Sequence, residues 1–165
     1  QGAGDAITWA NGSIYAMIGS REHETAFACY NCSNNSWKAL TMPLNWKNKT
    51  DDGASLVWTG GDYLYALRGE VGEDKHQPIT NFSRYNISTG KWEDMRPLLL
   101  EREGVGDGAS LLWIGNWLCE YNDYIFALGG GSGIKGEAPG NKSYIYCISQ
   151  GEWKELKQIP CPVGK

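Results

Sequence analysis

Seven asparagines stand two residues before a Ser or Thr: Asn11, Asn31, Asn34, Asn48, Asn81, Asn86 and Asn141. In an Asn-x-Ser/Thr triplet the side-chain amide can accept an N-linked glycan when the chain is exported. Eleven Asn and eighteen Ser plus Thr in 165 residues would place about one such triplet by chance. Turn chemistry explains part of the excess, because these residue types gather in β-turns. Asn31 and Asn86 also follow Tyr30 and Tyr85 at one place in a repeated unit, so repetition explains one more. The remainder predicts N-linked glycans on several of the seven and an extracellular or cell-surface location.

The other residue types with chemical potential form no catalytic or metal-binding pattern. Cys29 and Cys32 are a C-x-x-C half-site, but Cys119, Cys147 and Cys161 are scattered and the only histidines are His23 and His76. No four-ligand zinc set can be drawn from these spacings, and no metal or cofactor other than glycan is expected. If Cys29 lies in a strand, Cys32 points to the opposite face unless the chain turns there. Cys147 and Cys161 flank the last strand-like run and form the candidate disulfide. The odd count leaves a buried thiol or a bond to another chain. His23 and His76 occupy equivalent polar loops, and solvated loop histidines are the simpler reading. Asp51-Asp52 and Glu101 with Glu103 could hold a cation such as calcium, although Asp beside Gly also forms turns. No nucleophile elbow, Cys/His pair or phosphate-cradling loop occurs.

These residues are carried by one unit used three times. Gly4-Asp5-Ala6-Ile7-Thr8-Trp9, Gly53-Ala54-Ser55-Leu56-Val57-Trp58 and Gly108-Ala109-Ser110-Leu111-Leu112-Trp113 open the three copies. A second apolar run follows each, Ser13 to Gly19, Tyr63 to Gly69 and Tyr124 to Gly130. A Tyr then stands seven residues before a Trp: Tyr30 and Trp37, Tyr85 and Trp92, Tyr146 and Trp153. Each copy therefore holds four strand-like runs separated by Gly, Asn and Asp turns, the pattern of a four-stranded antiparallel blade. Apolar residues do not recur at helical spacing, so helix content should be near zero.

The Tyr-Ala-Leu-Arg-Gly and Phe-Ala-Leu-Gly-Gly-Gly endings, the Tyr-to-Trp spacing and the Met-x-Pro or Ile-Pro after the Trp strands resemble the kelch family of β-propellers over nearly the whole chain. The resemblance implies an all-β fold with blades at 1–50, 51–105 and 106–165. The family's glycine doublet is complete only at Gly129-Gly130, since Ile18 and Arg68 take the first position elsewhere. Blades one and two are accordingly expected to turn differently there. Kelch-like propellers include galactose oxidase, whose copper site needs two His and a Tyr crosslinked to Cys, and sugar mutarotases. Propellers close with about four to eight blades, so three should be completed by another chain, by further blades or by open stacking.

Trp9, Trp58, Trp113, Trp37, Trp92 and Trp153 fall in repeat phase and read as blade-packing residues. Trp46 and Trp117 are out of phase and are the candidate binding or interface residues, through stacking on a sugar or anchoring a partner. Covering the edge of a neighbouring blade is the alternative role. The net charge of -4 and the lack of a basic cluster exclude a nucleic-acid surface. No apolar run reaches the length of a membrane span, and no signal segment opens the chain. Gln1 in place of Met fits a removed leader or a cut chain. The expectation is a non-catalytic glycoprotein that self-associates as a homo-oligomer or open assembly, or binds a protein or glycan. Half of an extracellular sugar-modifying enzyme, of oxidase or mutarotase type, is the alternative.

Overall fold

The computed structural model describes residues 5–19, 25–43, 46, 53–69, 80–98, 108–115, 123–130 and 141–160. These form twelve strands and, among the described residues, no α-helix. Blade one contains β1 (Ala6–Ala10), β2 (Ser13–Ile18), β3 (Ala26–Asn31) and β4 (Ser36–Leu40). Blade two contains β5 (Ser55–Trp58), β6 (Tyr63–Leu67), β7 (Phe82–Asn86) and β8 (Lys91–Asp94). Blade three contains β9 (Ser110–Gly115), β10 (Tyr124–Leu128), β11 (Ser143–Cys147) and β12 (Glu152–Glu155). Every sheet is an antiparallel meander in sequence order. β5 lies beside both β1 and β9, so the first strands are the inner strands of a propeller-like fold.

Local chemistry sets the hairpins. Asn11 and Gly12 both take positive φ, 48° and 78°, between the paired residues Ala10 and Ser13. This is the two-residue turn whose twist matches that of its strands, and Asn-Gly is the pair that tolerates it. At the β3–β4 turn the left-handed residue is Asn35 (φ 53°), and its equivalents Gly90 and Gly151 both have φ 70°. The last inner hairpin departs from the others. Between Tyr124 and Ile125 the β9–β10 register shifts, leaving Ile114 as an extra residue.

The glycine doublet also resolves. Arg68 N–H and Gly129 N–H make equivalent bonds, to Asn81 and Lys142 carbonyls at 3.0 and 3.2 Å. A Cβ at Gly129 would meet its nearest atoms only at 3.7 Å, so a side chain fits, as at Ile18 and Arg68. Only the second position differs: Gly130 has φ 73°, whereas Gly19 and Gly69 do not adopt positive φ.

Two apolar layers hold the blades together. Between blades one and two lie Tyr15, Met17 and Phe27 against Leu56, Leu64 and Tyr85. Between blades two and three lie Tyr65, Leu67 and Phe82 against Leu111, Ile125 and Tyr146. Alternation along each strand sends successive side chains to opposite faces, so blade two is covered on both sides while blades one and three are covered on one. Phe82 packs its ring centroid 4.9 Å from both Tyr146 and Trp153. Phe82→Ala should therefore cost about 3–5 kcal/mol, read as a lowered urea midpoint with the slope unchanged.

Candidate functional site: the blade faces

Each junction repeats one construction. A receiving face supplies an aromatic pair, Tyr15 with Phe27 in blade one and Tyr65 with Phe82 in blade two. A presenting face on the next blade supplies a Tyr and a Trp. Tyr85 and Trp92 stand edge-on to Phe27, both at 5.0 Å, as Tyr146 and Trp153 do to Phe82. Such edge-to-face contacts add to the apolar area they bury. The indole also carries a directional bond: Trp92 Nε1 donates to the Thr41 carbonyl at 2.7 Å, and Trp153 Nε1 to the Arg96 carbonyl at 3.0 Å. At the second junction the Leu111 amide donates to buried Ser55 Oγ at 2.9 Å. Arg96 there also pairs with Glu152 at 3.1 Å.

The presenting half of this construction stands at the outer face of blade one, and the outer face of blade three carries a receiving half with Ser143 in place of the Phe. Blade one carries the presenting set Ile7, Trp9, Ile14, Tyr30 and Trp37, placed by the β1–β2, β2–β3 and β3–β4 registers. Tyr30 and Trp37 are paired at 5.2 Å as in the other blades. No described residue lies in front of them, so Ile7 is 71%, Trp9 57% and Trp37 59% exposed. Trp9 keeps one neighbour, Trp58, edge-on at 5.3 Å. Blade three offers the receiving set Leu112, Phe126, Leu128 and Ile145 on its outer face, with Leu112 59% exposed.

Six tryptophans in repeat phase thus divide by neighbour. Trp153 is buried, Trp58 and Trp92 are half-buried at the first junction, and Trp113 is at the edge of exposure. Trp9, expected to pack between blades, touches the next blade through Trp58 alone, and Trp37 meets no ring of another blade among the described residues. Trp46 is a correction: it is fully buried rather than available to a ligand. Its amide bonds the Pro43 carbonyl at 3.0 Å and its ring lies 5.9 Å from that of Trp92. It therefore takes the alternative role of covering the first junction, and its indole N–H has no acceptor among the described residues. Trp117 lies outside the described residues.

Asn11, Asn31, Asn34 and Asn86 stand at the β1–β2 and β3–β4 turn end of blades one and two. Asn31 and Asn86 turn their Oδ1 inward, accepting from Ser33 and Thr89 amides at 2.8 Å each. Those bonds use the side-chain oxygen, whereas a glycan would be carried by the nitrogen. Asn11 Nδ2 donates to the Gly61 carbonyl at 3.3 Å, and Asn34 Oδ1 accepts from Ser36 Oγ. Asn81 and Asn141 precede β7 and β11 at the opposite end, where Asn141 Nδ2 donates to Gln158 Oε1. Asn48 lies outside the described residues.

Cys29 is half-buried on β3, whereas Cys32 is exposed in the following turn, and both are free thiols. Cys147 is also a free thiol, buried, with Sγ 3.3 Å from Ser149 Oγ. Its candidate partner Cys161 lies outside the described residues, as do Cys119, His23, His76, Asp51, Asp52, Glu101 and Glu103. Among the described residues no three His, Cys, Asp or Glu side chains converge. Sequence reasoning missed Arg68, a buried cation whose guanidinium pKa burial lowers, and the Arg84 guanidinium, which caps the Tyr63 ring at 4.4 Å while pairing with Glu93 at 2.7 Å. The cross-strand pairing of Arg84 with Glu93 was the available signal.

No protein-family model and no curated protein matches the chain. Among solved structures it is similar to YjhT, with a TM-score of 0.66 at 14% identity over 96% of this chain and 53% of that one. The chain spans about half the length of that protein. An identity this low carries the fold alone, an all-β propeller-like arrangement.

The junction tyrosines give the blade contacts a pH signature. Burial raises the phenol pKa of Tyr15, Tyr65 and Tyr85, and pushes that of Tyr146 up to about 12. In the unfolded chain these phenols ionise near 10, so the folded state holds the proton longer. Stability should be fully present below pH 10 and fall as pH rises towards about 12, because ionisation then favours the unfolded chain. Urea midpoints measured across that window should decline, and a Tyr146→Phe variant should decline less steeply.

Proposed function

We propose that this chain is a non-catalytic extracellular or cell-surface glycoprotein module of kelch-like blades that works by association. Its tasks under this reading are self-assembly into a ring, coat or filament, and capture of a protein or glycan. The observation that carries it is the pair of open blade faces, one presenting Trp9 and Trp37, the other receiving with Leu112 and Phe126. Large exposed apolar patches mark interaction surfaces, and repeat units left without a neighbour gain stability by acquiring one. Export is supported by the density of Asn-x-Ser/Thr triplets, and the turn bonds of Asn31 and Asn86 engage only the side-chain oxygen.

Secretion from eukaryotic cells should add mass that peptide-N-glycosidase removes, and Asn31→Gln and Asn86→Gln should each remove one glycan's worth of it. A secreted chain with the mass of the bare polypeptide would sink the glycoprotein reading. His23→Ala combined with His76→Ala should leave assembly intact. Loss of a measurable sugar-processing activity in that double variant would instead establish the enzyme alternative.

A further inference from the structure

We propose that the sugar carried by Asn11 is seated on the indole of Trp58, with the Trp9 ring beside it, so that this glycan is a packed part of the first blade junction. The proposal rests on the glycoprotein reading above and gives one of its triplets a structural task. Its foundation is a shared acceptor. Asn11 Nδ2 donates to the Gly61 carbonyl at 3.3 Å, and Trp58 Nε1 donates to the same oxygen at 3.1 Å. The nitrogen to which a sugar is joined therefore stands beside the indole nitrogen, separated by no more than those two bonds laid end to end.

The other triplets lack this arrangement. Asn31, Asn34 and Asn86 bond within their own turns, and Asn141 bonds Gln158 in its own blade. The Asn11 side chain instead crosses from the first turn of blade one to that of blade two. Turn chemistry explains Asn11-Gly12, but it explains neither that crossing nor Ser13, which completes the triplet. The bond to Gly61 uses one of the two amide hydrogens, and the other remains for substitution on an exposed side chain. In that reaction the amide nitrogen bonds the anomeric carbon of an N-acetylhexosamine, its hydrogen leaves as a proton, and the lipid-diphosphate carrier departs from the same carbon.

The indoles supply the seat. Trp9 and Trp58 lie 5.3 Å apart at 80°, forming a corner with one wall on each blade. The C–H face of a pyranose is apolar and slightly positive, which matches the negative face of an indole ring. The Nε1 bond holds Trp58 in place before any sugar arrives, so little freedom is lost when it does. Trp58 meets the turn of blade one inside this chain, and the seat does not depend on what covers the outer faces. Trp113 is the internal contrast. It lies over the corresponding turn of blade two, 3.9 Å from a Cβ placed on Gly60, and the turn Thr59-Gly60-Gly61-Asp62 contains no Asn. Of two equivalent indoles, one has a sugar tethered beside it and the other has none.

The test is hydroxyl-radical footprinting, read by mass spectrometry, of the chain secreted from eukaryotic cells and trimmed by an endoglycosidase to one sugar per site. It is compared with Ser13→Ala, which breaks the triplet but leaves Asn11, and with Ser13→Thr, which keeps the triplet. Asn11 should be occupied in the wild type and in Ser13→Thr, and in both of these Trp58 and Trp9 should be oxidised less than in Ser13→Ala, with Trp113 unchanged. The unfolding equilibrium constant in urea should be roughly 2- to 10-fold smaller with the sugar, the scale of one aromatic contact, beyond any difference between the same chains made without glycans in bacteria. An unoccupied Asn11 beside occupied triplets elsewhere, an occupied Asn11 that leaves Trp58 as reactive as in Ser13→Ala, or an equal fall at Trp113 would each overturn the seat while the glycoprotein reading stands. A chain with no glycan at any triplet would overturn both.

Discussion

The edge-to-face packing of a Tyr and a Trp from one blade against a Phe from the preceding blade is the contact on which the rest of this structure depends. A four-stranded sheet with apolar residues on both faces cannot be stable alone in water, because each face needs a partner layer about 10 Å away. Phe27 and Phe82 supply the ring that meets the incoming pair, and the indole N–H then fixes the angle by reaching a specific carbonyl. Apolar area drives the approach without direction, whereas the hydrogen bond selects one orientation. Blade two has both faces satisfied in this way, and the outer blades have one each.

That constraint also organises the turns. The hydroxyl of the junction Tyr lies over the left-handed residue of the β3–β4 turn: Tyr30 OH donates to Asn35 Oδ1 at 2.7 Å, and Tyr85 and Tyr146 hydroxyls lie 3.6 and 3.7 Å from a Cβ placed on Gly90 and Gly151. The ring packs between blades while its polar tip remains at the turn. Asn suits the left-handed site almost as well as Gly, and Asn at the start of the turn caps it through Oδ1. Sequon density and turn geometry therefore share a cause in this chain. Asn31 and Asn86 show both demands at once, each opening an Asn-x-Ser triplet and capping its turn through Oδ1.

Most of the fold was legible because its information is local and repeated. Three copies of the Gly-to-Trp run, the Tyr-Ala strand and the Tyr-to-Trp spacing specify four strands each, and alternation within them assigns faces. Which Trp is covered was not legible, because burial of Trp37 depends on a neighbour and not on its own strand. Trp46 misleads for a related reason: out of phase, it looks like an accessory, yet the chain leaving β4 must cross to the next blade and plugs the junction beside Trp92 as it does so. The Cys147–Cys161 pairing rests on flanking positions alone, and Cys147 lies in the interior as a small apolar side chain near Ser149.

The third receiving face is not a perfect copy of the first two, and the difference bears on what kind of junction it makes. Where blades one and two place Phe27 and Phe82, blade three places Ser143, 3% exposed and bonded to its own Lys157 carbonyl. Where blade two places Arg84 with Glu93, blade three places Ile145 with Lys154. A Tyr-Trp pair docking there meets a hydroxyl in place of a phenyl ring and forfeits packing on the scale of a large-to-small core change, about 3–5 kcal/mol. Internal junctions are also helped by the covalent link between blades, which makes their association intramolecular. Any junction formed on that face would be weaker than the two internal ones on both counts.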